Sequence, residues 1–341
     1  MLPKCRVLQS RIAVLAIMVS CLLPITAFSN EITKPIRAFH MVLLGINLNE
    51  AKHVVDLLAE QKMNVIVLEI LWGASVRLKT CPWEVRSKPW EARELVDMVR
   101  YSRAKGIEVV PHIPLLSHQR ALLAKHRPDL LYNQATYNPD AKSVYELVLP
   151  MLDELTDLIK PKAIHIGHDE VVGWEKSHFG KFLGDNERPL PAELFLKDVL
   201  ILHDHLKKKG IATWMWGDML ISPDEFPGMK REQLHGQLSG YGKVLRSKLP
   251  HDIVICDWHY LDDQPGFPSL ATFRNEGFRV IGVTWKKEKT IRNFSRYAAE
   301  HSADGMMATT WFHVQRREWD VVDHIIQFSG EAFLKDFPDF K

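Results

Sequence analysis

The sequence predicts an α/β fold, a single (β/α)8 TIM barrel. Short, nearly continuous apolar runs alternate with amphipathic stretches, which is typical of parallel strands covered by helices on both faces. Eight such units over roughly 300 residues match the strand number and size of a TIM barrel. Lys-Gly-Ile or Glu-Gly-Phe steps before three strands, at 105–107, 209–211 and 276–278, are typical of helix C-caps. A doubly wound open sheet is the alternative, but no glycine-rich phosphate loop follows the first strand.

The chain has 341 residues, and the first 29 predict a secretory signal peptide. Three basic residues precede an apolar run at 12–23, and small residues at 27 and 29 precede a cleavage point before Asn30. An uncleaved N-terminal anchor is the alternative. We therefore expect a barrel domain at 30–341, exported to the periplasm or secreted. No later apolar stretch reaches the roughly 20 residues of a membrane helix, so no stable membrane insertion is expected after cleavage.

The elements follow in order along this domain. The predicted strands span residues 39–46, 64–70, 108–115, 163–170, 212–219, 252–260, 279–285 and 305–312. The predicted helices span residues 50–61, 91–105, 144–159, 192–209, 291–301 and 321–334. In a barrel of this kind the chemistry lies at the C-terminal ends of the strands.

Charge and cysteine content exclude some classes of function. The net charge of the full chain is +2, and removal of the signal with its three basic residues leaves −1. Such a chain offers no electrostatic basis for binding nucleic acid. Two of the four cysteines lie in the signal; Cys81 and Cys256 remain, and each could be simply buried or the two could pair.

The fourth predicted strand ends in an unusual group of side chains. An apolar run at 163–166 is followed by two adjacent carboxylates, Asp169 and Glu170. Two neighbouring acids at the end of a buried strand lower stability, because they lose hydration and repel each other. Their presence therefore indicates a functional role. A carboxyl group beside a like charge at a barrel rim is a candidate proton donor with a raised pKa.

Aromatic residues stand at or near the ends of the predicted strands 2, 5, 6, 7 and 8: Trp72, Trp216, Trp258, Tyr260, Trp285 and Trp311. Any one of them could belong to the core. As a set at one rim they predict flat apolar walls around the carboxylate pair, which is what a sugar ring needs.

The segment 165–170, His-Ile-Gly-His-Asp-Glu, resembles the His-x-Gly-x-Asp-Glu signature of glycoside hydrolase family 20, the β-N-acetylhexosaminidases. Residues 106–111 with His118, and residues 137–140, are similar to further family segments. Trp216, Trp258 and Trp311 fall at the family's aromatic positions. The resemblance covers nearly the whole mature chain.

The resemblance implies a retaining glycosidase that hydrolyses terminal β-linked N-acetylhexosamine (GlcNAc or GalNAc) without a carboxylate nucleophile, because the substrate's own acetamido oxygen attacks. Asp169 would orient the acetamido N–H and stabilise the oxazolinium. Glu170 would protonate the leaving oxygen and then act as a base towards water. The partner is a 2-acetamido sugar glycoside, and no metal or cofactor is required.

The resemblance also suggests a set of substrate-binding residues. These are Arg37, His118, His165, His168, Trp216, Trp258, Tyr260, Trp285, Trp311 and His313. Arg37 would donate hydrogen bonds from its planar guanidinium group to sugar hydroxyls, or it is a surface arginine. His118 and His165 would orient polar groups of the site, or they are buried histidines that are hydrogen-bonded to other protein groups.

Three departures from the family pattern concern the sugar-reading rim. His168 replaces a glycine and is expected to narrow the pocket or contact the substrate. His313 stands where the family has a hydroxyl-binding acid after strand 8. His112 replaces a glutamate on strand 3. The reaction class is therefore better supported than the identity of the sugar.

Two alternatives remain at this stage. A non-catalytic barrel could bind glycans without cutting them, in which case no 2-acetamido sugar would be turned over. A metal-dependent hydrolase could use the same barrel, and activity after exhaustive chelation would exclude it. Its candidate ligands are His112, His118, His165, His168, Asp169 and Asp218.

Overall fold

The structure, a computed structural model, describes residue 32 and residues 35–71, 74–83, 88–119, 123–171 and 186–339. It confirms the predicted (β/α)8 barrel. Eight parallel strands form one closed sheet in chain order, and the first strand pairs with the eighth. The proposed signal peptide at 1–29 and Trp72 lie outside the described residues.

The strands are β1 Ile36–Val42, β2 Val65–Glu69, β3 Glu108–Leu115, β4 Ala163–Gly167, β5 Ala212–Trp216, β6 Val254–Trp258, β7 Arg279–Thr284 and β8 Gly305–Thr309. The α-helices of the described residues are α1 Leu48–Glu60, α2 Ala92–Ala104, α3 Leu123–His126, α4 Lys142–Ile159, α5 Ala192–Lys208, α6 Lys243–Arg246, α7 Pro268–Asn275, α8 Glu288–Glu300 and α9 Trp319–Asp336. All six predicted helices are present. Helices α3, α6 and α7 were not predicted, because with four, four and eight residues they show too little periodicity.

The core has two layers because alternate residues of each strand face opposite ways. In β1, Ala38 belongs to a cluster inside the barrel, whereas Phe39 and Met41 pack between the barrel and the helices. Both faces of the sheet are therefore buried, which explains the nearly continuous apolar runs of the sequence. Burial of a side chain such as Phe39 contributes about 1.5–3 kcal/mol to stability.

Most strands end earlier than predicted, and the residues of the fourth strand show why. β4 ends at Gly167, where φ is +78°, and His168 and Glu170 follow with φ of +70° and +48°. A Cβ atom at residue 167 would lie 3.1 Å from the backbone nitrogen of Leu115. Only glycine allows this approach to β3, and the left-handed residues after it lift the acidic pair out of the sheet.

Cys81 and Cys256 are both buried free thiols, so the pairing considered from the sequence does not occur. Burial raises the pKa of Cys81 to about 12. Among the described residues, no helix is long and apolar enough to cross a membrane.

Arg37 does not lie at the sugar-binding rim. It precedes Ala38 near the N-terminal end of β1 and points out of the barrel, at the face opposite the strand ends that carry chemistry. Its Nε donates to Lys62 O at 2.8 Å and its Nη1 to Phe337 O at 2.9 Å. The guanidinium thus binds the chain after α9 to the barrel, and its proposed sugar-binding role is wrong.

Replacement of Arg37 by methionine should lower the free energy of unfolding by about 1.5–3 kcal/mol, the usual worth of hydrogen bonds to a charged group. Arg37 is 3% exposed, so water cannot replace the lost donors to Lys62 O and Phe337 O. Chemical denaturation measures the effect. Arg77→Met, at a site 62% exposed and paired with Glu91, is the matched control and should change stability by less than about 0.5 kcal/mol. Equal effects of the two substitutions would contradict the bracing role.

Candidate active site

A cavity of about 570 Å³ opens at the C-terminal ends of the strands. This size suits a sugar or another small ligand. Its lining residues are Glu69, Leu71, His112, Pro114, His118, Asp169, Glu170, Trp216, Glu232, Trp258, Tyr260, Leu261, Trp285 and Trp311. The barrel therefore brings both predicted catalytic acids, His118 and five of the six predicted aromatic residues into one pocket; the sixth, Trp72, lies outside the described residues.

Asp169 forms an ion pair with His118 across the loops that follow β4 and β3. His118 Nε2 lies 3.1 Å from Asp169 Oδ2. Burial opposes ionisation of Asp169, but the neighbouring His118 outweighs it and lowers the pKa of this carboxyl group. Partial desolvation at the pocket opposes protonation of His118, whose side chain is 46% exposed, yet the Asp169 carboxylate raises its pKa to about 10. Asp169 is therefore ionised and held in place by a cation.

Glu170 has the opposite tendency, although it is the next residue. Burial and the negative charge of Asp169 raise its pKa. Its side chain remains 32% exposed at the pocket, compared with 14% for Asp169. The two carboxyl groups thus favour different protonation states, which is the arrangement that separates a proton donor from a charge stabiliser.

Asp218 positions the backbone of Glu170. Its Oδ2 accepts hydrogen bonds from the Glu170 backbone N at 2.8 Å and from His235 Nδ1 at 2.6 Å, and its Oδ1 accepts from Trp258 Nε1 at 3.2 Å. These bonds tie the strained Glu170 to the loop after β5 and to the aromatic wall. From the sequence, Asp218 was expected only as a candidate metal ligand, and His235 was not predicted because no local pattern indicates it.

The predicted aromatic residues form a continuous wall. Trp258 and Tyr260 stack with ring centroids 4.9 Å apart, and Tyr260 meets Trp285 and Trp311 edge-on at 6.0 and 6.1 Å. Trp216 lies 6.0 Å from Trp311 and closes the inner end. Packing of each ring against the next holds the aromatic lining of the cavity in place, and an apolar sugar face can pack against such a lining.

The floor of the pocket contains a second group of polar side chains, of which the sequence had pointed to His112 as a candidate metal ligand. Glu69 and His112 stand at paired positions of β2 and β3, and His40 extends from β1 beside them. Glu69 Oε2 lies 3.2 Å from His40 Nε2 and 3.4 Å from His112 Nδ1. Burial opposes ionisation of Glu69, but hydrogen bonds from the two histidines hold its pKa well below the usual range.

Two groups of the described residues have the atoms to hold a metal ion. One is the floor group, His40, Glu69 and His112, and the other is His118 with Asp169 and Glu170. The ligand set considered from the sequence is not brought together, because His168 and Asp218 bind other protein groups.

His168 points away from the pocket, contrary to the expectation that it narrows the pocket or contacts the substrate. Its left-handed backbone turns the ring outward, where Nε2 lies 2.9 Å from Asp198 Oδ2 on α5. Tyr137 and Tyr145 donate to the same carboxylate at 2.7 and 2.8 Å. His168 therefore anchors the loop after β4 to α5.

His165 and His313 do not line the cavity either. His165 is fully buried inside the barrel, with its ring centroid 4.4 Å from those of His112 and Trp216. Burial lowers its pKa well below the ordinary value, so this ring is neutral. His313 lies behind Trp285 and binds Glu318. His165 packs against His112 and Trp216, and His313 packs against Trp285. Neither histidine contacts the cavity where the family's hydroxyl-binding acid was expected.

Comparisons with known proteins agree with the barrel fold. Residues 46–325 match the model of glycosyl hydrolase family 20, catalytic domain. A curated relative, a β-hexosaminidase of Akkermansia muciniphila, is 29% identical over 225 residues, which are 59% of this chain and 42% of the relative. The chain thus spans less than half the length of this curated relative.

Solved structures show the same fold. A chitobiase from Flavobacterium johnsoniae has a TM-score of 0.62 at 18% identity, with 88% of this chain and 49% of that chain covered. An exo-β-N-acetylglucosaminidase from Vibrio harveyi, in complex with N-acetylglucosamine, has a TM-score of 0.59 at 17% identity, with 89% and 57% covered.

Replacement of His118 by glutamine should raise the pKa values of both Asp169 and Glu170, because the cation lowers the pKa of each. Carbon-13 NMR of the side-chain carboxyl groups, recorded against pH and assigned with Asp169→Asn and Glu170→Gln, measures the shifts. His324→Gln, which removes a histidine of similar exposure paired with Glu288, is the matched control. An unchanged or lowered pKa of Glu170 in His118→Gln would contradict the electrostatic coupling.

Proposed function

The chain belongs to glycosyl hydrolase family 20, and from this premise we propose that it is a retaining glycosidase that releases terminal β-linked N-acetylhexosamine, either GlcNAc or GalNAc. One observation carries the proposal: an ionised Asp169 and a Glu170 with a raised pKa stand side by side in an aromatic pocket. The match to a β-hexosaminidase and the fold shared with an N-acetylglucosamine complex support the same substrate class.

In the proposed reaction, the acetamido oxygen of the substrate attacks the anomeric carbon. Asp169 accepts a hydrogen bond from the acetamido N–H, which turns the oxygen towards that carbon. Its negative charge then stabilises the positive charge that develops on the oxazolinium ring. His118 keeps Asp169 ionised and fixes its orientation through the 3.1 Å contact.

Glu170 acts on the leaving group. As an acid, it protonates the glycosidic oxygen while the bond to the anomeric carbon breaks. The resulting carboxylate then removes a proton from the water that opens the oxazolinium, which restores both the acid and the configuration of the sugar. The Asp218 bond to its backbone holds the group at one place through both steps.

The aromatic wall supplies binding energy and excludes water. Trp258, Tyr260 and Trp285 offer flat surfaces, and Trp216 with Trp311 closes the inner end around the acetamido group. A low-dielectric wall strengthens the interaction of Asp169 with the developing cation. We also propose that the protein is exported, on the basis of the signal-like pattern at 1–29.

Glu170→Gln should reduce kcat/KM on an N-acetyl-β-glucosaminide with a poor aryl leaving group by about 10²–10⁴, the usual worth of general acid catalysis. The loss should be much smaller with a dinitrophenyl leaving group, which departs without protonation. Steady-state hydrolysis of the two aryl glycosides measures the difference. Glu146→Gln, an exposed residue of α4, is the matched control and should retain wild-type rates.

An equal reduction of kcat/KM with both leaving groups would contradict the role of Glu170 as the acid. If the wild-type protein binds 2-acetamido sugars but turns over none of them, the chain is a glycan-binding barrel instead.

Asp169→Asn should reduce kcat/KM on the same glycosides by about 10²–10³, because removal of one stabilising group at a developing charge typically costs this much. The variant should also bind a thiazoline analogue of the oxazolinium more weakly, as measured by inhibition of residual activity or by calorimetry. Asp204→Asn, an exposed acid of α5, is the matched control. Unimpaired hydrolysis by Asp169→Asn would refute attack by the acetamido oxygen.

A further inference from the structure

Three side-chain atoms form a nearly equilateral triangle at the pocket floor. His40 Nε2 and His112 Nδ1 are 3.1 Å apart, and Glu69 Oε2 lies 3.2 and 3.4 Å from them. His40 is fully buried, His112 is 3% exposed and Glu69 is 12% exposed. The three come from adjacent strands, so the barrel holds their positions rigidly.

Hydrogen bonds satisfy at most two of the three contacts in this triangle. A carboxylate oxygen has no hydrogen, and a ring nitrogen either donates or accepts in the plane of the ring. If both nitrogens donate to Glu69, neither can accept from the other across the 3.1 Å gap between them. If one nitrogen carries no proton, its lone pair faces the carboxylate oxygen.

A metal ion makes all three contacts favourable. Ligand atoms bound at about 2.0–2.2 Å to a tetrahedral or octahedral ion lie roughly 3.0–3.5 Å from one another. The observed separations of 3.1, 3.2 and 3.4 Å fall in this range. Two imidazole nitrogens and one carboxylate oxygen also form a donor set that zinc and neighbouring divalent metals prefer.

We propose that His40, Glu69 and His112 bind one divalent first-row transition-metal ion of the zinc type at the floor of the pocket. Glu69 and His112 line the cavity, so the ion can enter from it and keeps a coordination position open towards it. An oxygen of the ligand in the pocket, such as a sugar hydroxyl, can occupy this position. The proposal goes beyond the proposed glycosidase chemistry, which Asp169 and Glu170 perform without a metal.

Cobalt titration of the full chain, produced without a histidine tag and first stripped with chelator, tests the site. Co²⁺ gives visible absorption bands when protein ligands bind it, and Zn²⁺ should displace it. We expect one saturable site per chain. Glu69→Gln and His112→Leu should each weaken cobalt binding by more than about 100-fold, beyond the 10–100-fold effect of residues that only orient ligands.

His324→Gln, which alters an exposed histidine–glutamate pair, is the matched control and should bind cobalt like the wild type. The proposal is overturned if the wild type has no saturable site, if both floor variants bind normally, or if only His118→Gln abolishes binding, since the second cluster would then be the ligand set. Should the floor variants fail to fold, NMR of the wild-type cobalt protein decides: two paramagnetically shifted ring N–H signals are expected, and their absence overturns the proposal. None of these measurements depends on turnover of a sugar.

Discussion

Closure of the parallel barrel is the constraint on which the site depends. Because all eight strands run in one direction, their C-terminal ends meet at a single rim. His118 and Asp169 are 51 residues apart in the chain, and Glu170 and Asp218 are 48 apart, yet each pair is in hydrogen-bond contact. Gly167 adds a local condition, since β4 can approach β3 there only without a side chain.

Within that rim, two chemically similar groups acquire different properties from their surroundings. Asp169 faces a cation and loses its proton easily. Glu170 faces the charge of Asp169 and keeps its proton longer. His118 Nε2 lies 3.1 Å from Asp169 Oδ2 but 3.9 Å from Glu170 Oε2, so its positive charge favours ionisation of Asp169 more strongly, while burial and the charge of Asp169 oppose ionisation of Glu170. At the pocket floor, His40 and His112 likewise outweigh burial and lower the pKa of Glu69.

The sequence predicted the barrel, the acid pair and the aromatic wall, because strand periodicity and residues at strand ends are local properties. The directions in which side chains point were harder to predict from the sequence. The left-handed φ of His168 turns it outward, and no local pattern revealed that conformation. Arg37 was misplaced although strand alternation, with Ala38 inside, could have placed it outside. The contact of Asp218 with His235 depends on the long loop after β5, whose path the sequence does not indicate.

The buried Asp198 carboxylate binds His168, Tyr137 and Tyr145, so one side chain of helix α5 connects the acidic loop to helix α4 and to the segment before it. The pocket therefore cannot be transferred to another barrel by its lining residues alone. If only the rim loops were moved, the hydrogen bonds to Asp198 would be lost, and the acids would lose their alignment although every residue that lines the cavity had been copied. Redesign of this protein therefore has to keep the outer helices and the rim loops together.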